Sequence, residues 1–534
     1  MKSKAMHKWR ASPTWLRPLI IALLVLGVFF RFVNLDRKVY WLDETATSFH
    51  LSGYTHEEFT QQVVDGREIG LEDLQKYQRT NPEKGLIDTV KSLAIEDSQH
   101  PPLYYVMARF WVQWFGNSVA VTRSLSAVIS LLVFPCIYWL CLELFASSLT
   151  GWVAIALIAV SPFHVLYAQE AREYSLWTVT ILLSSAALLQ AMRLKTKLSW
   201  GIYAATTALG LYSFLFSAFV AIGHGIYVYV TESFRLSKTF IAYLVASVAG
   251  FLAFAPWVLI VITNMSRIQE NNSWSGERIS LSDLVSRWAI NLSQLFLDFV
   301  VYTNASFKYF IPLIFLICFL FILVGYSLYF LCRRTRKQVW LFVLTLIGAT
   351  ALALALPDLI LGGYRSGTSR YLIPCYIGIQ LAVAYLFATQ LASISIKSRR
   401  QKLCQLVMIM LLSGGILSCV ISSQAQFWWN KSIFSFDNLQ VVRIINRTIN
   451  PLLLISISPS DAIPLSYLLE PKVRLKWWLK QPDSSKIDNK LNQIFMLEKP
   501  YYNSHKQELS DQYNYKTNLV YEGRDKTLWK IENP

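Results

Sequence analysis

"AQEAREYS", residues 168–175, separates two apolar runs, 149–168 and 175–193, each long enough to cross a bilayer. The second run ends at "RLKTK" (193–197), a basic cluster of the kind that marks the cytoplasmic side of a membrane. The turn between the two runs is therefore expected outside. It carries Glu170, Arg172 and Glu173. A salt-bridged turn would account for them, yet charges at a lipid boundary are costly unless they face a cavity. The spacing points to a polar site at the outer rim of a membrane bundle.

Composition agrees. Apolar residues make 54% of the 534, charged residues only 16%, and Phe, Trp and Tyr 14%. A soluble chain of this length would need more charge to cover its surface. Runs of roughly 20 apolar residues recur along the chain, each matching ~30 Å of hydrocarbon. The net charge of +17, from 50 basic and 33 acidic residues, resides largely in short loops between these runs. Such a pattern is membrane topology and excludes nucleic acid as the partner. The seven cysteines have no metal-ligand or disulfide spacing, and the large hydrophilic segments contain none.

Basic clusters at 2–17, 193–197, 232–238, 333–337 and 397–402 fix the remaining sides. Leu16–Phe32 follows a positive flank with no small-residue cleavage pattern, so it reads as an uncleaved outward helix after a cytoplasmic N-terminus, 1–15. The next crossing, 120–146, must run inward. Residues 34–118 are then external, and 34–98 hold 13 acidic against 7 basic side chains. "PPLYYVMARFWVQWF" (101–115) is short and interrupted by Arg109, which suits an interfacial helix. Further spans are expected at 198–213, 215–231, 239–263, 309–332, 338–357, 371–392 and 402–422, for about 11 crossings in a domain over 16–422. The tail, 423–534, alternates "LLLISIS", "IFMLE" and "TLWKIE" with the helical "NLQVVRIINRTI", as a small external α/β domain would.

This topology gathers four distant stretches on the external face. "VYWLDETATSFH" (39–50) brings Asp43 and Glu44, which either stabilise a helix start or serve a site. "HPPLYY" (100–105) presents His100 through two prolines that open a helix, unless that turn merely caps it. "QEAREY" (169–174) brings Glu170, Arg172 and Glu173, and "GYRSGTSRYLIP" (363–374) brings Arg365, Arg370 and Tyr371. Arginines on the side where positive charge is disfavoured suggest an anionic partner. His164 and His224 lie within spans and read as hydrogen-bonded interior residues.

Outside such a membrane no nucleotide sugar is available, so a glycosyl transfer there needs a sugar already activated on a lipid phosphate. Phosphate is a weakly basic leaving group that needs cations, while the acceptor hydroxyl needs a base. One carboxylate with arginine or a metal ion would suffice, unlike the two carboxylates of a glycosidase.

The order of "WLDET", a long external loop, "HPPLYY" and "QEAREYSL" resembles the GT-C fold glycosyltransferases. It is most similar to the branch of dolichyl-phosphate-mannose–protein mannosyltransferases, family 39, with their bacterial aminoarabinose transferase relatives. The likeness covers 10–235 by motif and 236–422 by layout. It implies an all-α polytopic bundle of GT-C type with a small C-terminal α/β domain. It further implies an inverting transfer from a polyprenyl-phosphate sugar to a hydroxyl on lipid, glycan or protein, at the extracytoplasmic face of the cell membrane. By the same resemblance, Asp43 is the base or acceptor-orienting group, with Glu44 in support. His100, Arg172 and Glu173 lie near the donor phosphate or a divalent cation, which some relatives bind. Glu170 and Glu173 both stand as the second acidic residue, and Arg370 with Tyr371 matches a looser late "RY". A ligase or polymerase of lipid-linked oligosaccharides is the nearest rival. A flippase would instead place polar groups at mid-bilayer in broken helices.

Overall fold

The computed structural model describes residues 16–298, 310–392, 399–429, 431, 434–478, 493–500 and 516–532. The expected cytoplasmic segment 1–15 lies outside the described residues. Two compact units emerge: one comprises 1–33, 97–104 and 123–423, the other 34–96, 105–122 and 424–534. The chain passes between them within helices Leu103–Phe115 and Val119–Leu131.

The first unit is a bundle of apolar helices. Among the described residues, seven helices are long and apolar enough to span a membrane, or eight counting one bent pair. Each of the eleven expected stretches holds helix among its described residues, but Leu16–Phe32 and Lys197–Ser213 have 17 residues and Ser217–Thr231 has 15. Where 149–168 reads as one helix, the structure bends by 65° between Ser148–Ala159 and Pro162–Ala168. Pro162 has no N–H to continue the ladder and instead starts a new first turn. Arg31 reaches the carbonyls at the break, donating to Ala159 O at 2.9 Å and to Ile158 O at 3.3 Å, which also accepts from Ser161 N. His164 bonds Gln380 Oε1 at 2.9 Å and His224 bonds Ser185 Oγ at 3.1 Å, the interior roles expected of both.

The second unit is built on a five-stranded sheet: β1 (Leu452–Ile455), β2 (Arg474–Trp477), β3 (Ile494–Glu498), β4 (Lys516–Glu522) and β5 (Thr527–Glu532), in the order β2-β1-β3-β5-β4. β1 runs parallel to β2 and β3, whereas β5 is antiparallel to β3 and β4. Side chains alternate across the sheet. Leu453, Ile455, Phe495 and Leu497 meet Phe49, Phe59, Leu74 and Tyr77 from the segment 34–96, and Val441 and Ile445 from helix Phe434–Asn446. Leu452, Leu454, Ile494 and Met496 form the core of the other face. Burial on both faces explains why β1 and β3 are continuously apolar. The loop 34–96 thus shares a core with the tail, and Ile69 pairs with Leu475 by backbone bonds of 2.9 and 3.0 Å.

Candidate functional site

The turn 168–173 is held by its own backbone and by two neighbours. Arg172 N donates to Glu170 O at 2.8 Å, and Ser126 Oγ donates to Arg172 O at 3.1 Å. Gln169 Nε2 donates to Phe30 O at 2.8 Å and Val33 O at 2.9 Å. Tyr167 and Ser369 join hydroxyl to hydroxyl at 3.0 Å. The end of the first helix, this turn and the start of the 369–392 span therefore meet at one end of the bundle. Trp257 Nε1 brings in the segment before His100, donating to Ser98 O at 3.1 Å.

At that end three of the expected residues touch. His100 Nδ1 lies 2.7 Å from Glu173 Oε1, and Arg172 Nη2 lies 3.0 Å from His100 Nε2. Arg172 Nε stands 3.5 Å from Glu173 Oε2. Arg172 Nη2 also lies 3.3 Å from His100 Nδ1, so the guanidinium faces both ring nitrogens. Glu173 and Glu170 are fully buried and Arg172 nearly so. Burial by itself would raise the Glu173 carboxyl; the Arg172 guanidinium and the His100 imidazole beside it outweigh that and hold it at about 2. Glu173 also precedes the first residue of Tyr174–Leu194, where the helix dipole favours a negative charge.

Arg370 and Tyr371 occupy the neighbouring position. The Arg370 guanidinium lies 5.8 Å from the Tyr174 ring, 5.9 Å from Trp274 and 5.5 Å from Tyr371, so three aromatic faces surround a cation. Tyr371 packs in turn on Phe216 at 5.1 Å. Arg365 has an anionic partner within the chain: it bonds Asp358 Oδ1 at 3.1 Å, a carboxylate seven residues earlier. Asp358 Oδ2 also accepts from Ser366 N at 2.6 Å and Ser366 Oγ at 2.7 Å, which fixes the loop leading to Arg370.

Asp43 and Glu44 belong to the second unit, in the first turn of Leu42–Ser52. Glu44 is fully buried, and its Oε2 accepts from Trp41 N at 3.4 Å, reaching back over the helix start. Asp43 is half-buried on the same turn. Sequence reasoning passed over Trp274, Asp358 and the pair Tyr104–Ser126, which links the "HPPLYY" helix to the Arg172 carbonyl through a 2.8 Å bond. Asp358 alone carried a signal, as a carboxylate at the end of an apolar run.

The donor set does not fit a divalent cation. Glu173 is already matched by Arg172, whose positive charge would repel a metal ion. Among the described residues no three His, Cys, Asp or Glu side chains group as metal ligands.

Comparison with known proteins adds the fold. Residues 99–260 match the family model of dolichyl-phosphate-mannose-protein mannosyltransferases. No curated protein sequence matches the chain. Among solved structures, ArnT from Cupriavidus metallidurans bound to undecaprenyl phosphate aligns over 97% of this chain and 98% of its own, at 13% identity and a TM-score of 0.51. The oligosaccharyltransferase of Archaeoglobus fulgidus aligns over 97% of this chain and 74% of its own, at 13% identity and a TM-score of 0.50. The chain is thus a multi-pass membrane protein with the glycosyltransferase-like GT-C fold, and its segment 99–260, which holds His100, Glu170, Arg172 and Glu173, is the part that matches the mannosyltransferase family model.

Proposed function

We propose that the chain is a glycosyltransferase that moves a sugar from a polyprenyl-phosphate donor to a hydroxyl acceptor at the extracytoplasmic face of the membrane. The observation that carries this reading is the cluster of half-buried His100 with buried Arg172 and Glu173 at one end of the apolar bundle. A lipid-linked phosphate lies at the depth of helix ends, where its charge meets the headgroup layer.

In the reaction the bond between the anomeric carbon and the phosphate oxygen breaks, and its electron pair stays on the phosphate. The acceptor oxygen bonds to that carbon from the opposite side, with inversion. Arg172 and Arg370 balance the charge that grows on the phosphate, and need not be proton donors, because phosphate is a weak base. Glu173 and His100 hold Arg172 in place. Asp43, on a helix turn that Glu44 supports, is the carboxylate proposed as base for the acceptor proton. Undecaprenyl phosphate in ArnT supports a lipid-phosphate donor. The broken helix 148–168, which a flippase would use as an ion or substrate site, has its freed carbonyls occupied by Arg31.

The test is mass spectrometry of lipid-linked sugars in cells lacking the protein, paired with purified full-length chain in nanodiscs. An accumulating polyprenyl-phosphate sugar, released as polyprenyl phosphate by the purified chain, is the expected result. No accumulation and no release from that donor would overturn the reading.

A further inference from the structure

We propose that the second unit carries a groove for the acceptor, and that the acceptor is a saccharide bearing an anionic group, either carboxylate or phosphate. The inference rests on the transferase reading and adds the chemical class of the second substrate. The groove lies between the segment 36–40 and helix Phe434–Asn446, with Tyr467 following helix Pro459–Ser466. Its volume is about 330 Å³. That is the lower end of small-ligand sites and about the room of a mono- or disaccharide.

Its chemistry is unbalanced in one direction. Arg37, Lys38 and Arg443 line it against a single carboxylate, Asp36. The two arginines are exposed at the rim, and each is oriented by one bond: Arg37 Nε donates to Gln424 O at 2.8 Å, and Arg443 Nη2 to Gln426 Oε1 at 3.1 Å. Two guanidinium forks fixed this way are suited to a planar or tetrahedral oxyanion. Lys38 is buried with its ammonium 4.9 Å from the Trp428 ring.

The apolar part of the lining suits sugar C–H faces. Tyr40 and Tyr467 stand 4.8 Å apart, and their hydroxyls are committed elsewhere, to Ser48 Oγ at 2.6 Å and Gln78 Oε1 at 3.2 Å. Ring carbon, with Val442 and Leu439, is therefore what the groove offers between its charged rims. The segment 36–40 leads directly into helix Leu42–Ser52 and Asp43. Val39 fixes it, donating N–H to Gln426 O at 2.9 Å and accepting from Trp428 Nε1 at 2.8 Å. A saccharide held here sits on the same rigid stretch as the proposed base.

Full-length chain in phosphatidylcholine nanodiscs provides the test, with calorimetric titration of a glucuronic-acid-containing disaccharide and of its neutral analogue. The acidic disaccharide should bind about tenfold more tightly or better, with affinity falling as salt rises. The double variant R37Q/R443Q, checked for an unchanged melting temperature, should lose that margin. Equal affinity for the two disaccharides, no salt dependence, or undiminished acidic binding in a folded double variant would each overturn the proposal. Loss of acidic binding when phosphatidylglycerol is added to the nanodiscs would assign the groove to a lipid headgroup and equally overturn it. Release of polyprenyl phosphate by the parent reports separately on the transferase reading, so the two failures are distinguishable.

Discussion

His100 Nδ1 and Glu173 Oε1 stand 2.7 Å apart across 73 residues of sequence, with Arg172 bonded to the same imidazole. Two buried charges beside a half-buried histidine behave as one unit, since removing either charge strands the other in a low dielectric. Arg172→Ala and Glu173→Ala should each cost about 3–5 kcal/mol of stability, and the double variant far less than the sum. Thermal melts of the three variants in one nanodisc composition give the coupling. Additive losses would mean that the pair is energetically independent. In milder form, Arg172→Lys should weaken donor binding without unfolding, because an ammonium keeps the charge and loses the fork.

The same pair sets a pH dependence. The Glu173 carboxyl is held at about 2, below its ordinary value of 4.5, so folding stabilises the ionised form. That contribution is complete above pH 4.5 and is lost as pH falls towards 2. Its size is on the order of 3 kcal/mol. The difference in melting temperature between the parent and Glu173→Gln should be flat from pH 8 to pH 5 and shrink below that. A difference growing on acidification would contradict the ion pair.

The membrane helices were legible because apolar runs of spanning length have no competing explanation, and β1, β3 and β5 because buried strands read as short apolar runs. The break at Ser161 was missed, because the surrounding apolarity outweighed its one sequence mark, Pro162. β2, "RLKW", interleaves two charges with two apolar residues at one sheet edge, and β4 is exposed at the other, so neither reads as an apolar run. The common core of Phe59 and Leu453 depends on packing across hundreds of residues, which no periodicity records. At the site, motif order brought His100, Arg172 and Glu173 forward, whereas Trp274 against Arg370 is a tertiary contact without a sequence mark. For Arg365, side of membrane marks an unusual charge but not its partner within the chain, Asp358.

Asp358 offers a prediction about presentation rather than chemistry. Its Oδ2 takes two short bonds from Ser366, and Asn291 Nδ2 donates to Gly367 O at 2.8 Å on the same loop. Asp358→Ala should free residues 363–370, at a cost of about 1–3 kcal/mol for the buried groups left unmade. Amide exchange across that loop should rise, and donor KM should rise with kcat nearly unchanged, since Arg370 is displaced rather than removed. A fall in kcat alone would point to a role in the chemical step.

Asp43 and Glu44 are neighbours in one helix turn, yet they should fail in different ways. Glu44 is buried and closes the helix start on Trp41 N, so Glu44→Ala should lower stability by about 1 kcal/mol, with its effect on rate following from that loss. Asp43 is half-buried, and the proposed base role needs its carboxylate rather than its volume. Asp43→Asn should leave the melting temperature near that of the parent and reduce transfer at saturating donor and acceptor by about 10²–10⁴. The measurement is release of polyprenyl phosphate from the sugar-linked donor, compared across both variants at matched folded fraction. If Asp43→Asn transfers at the parental rate, the proton must leave by another route, and Asp43 is then a helix-start residue like its neighbour.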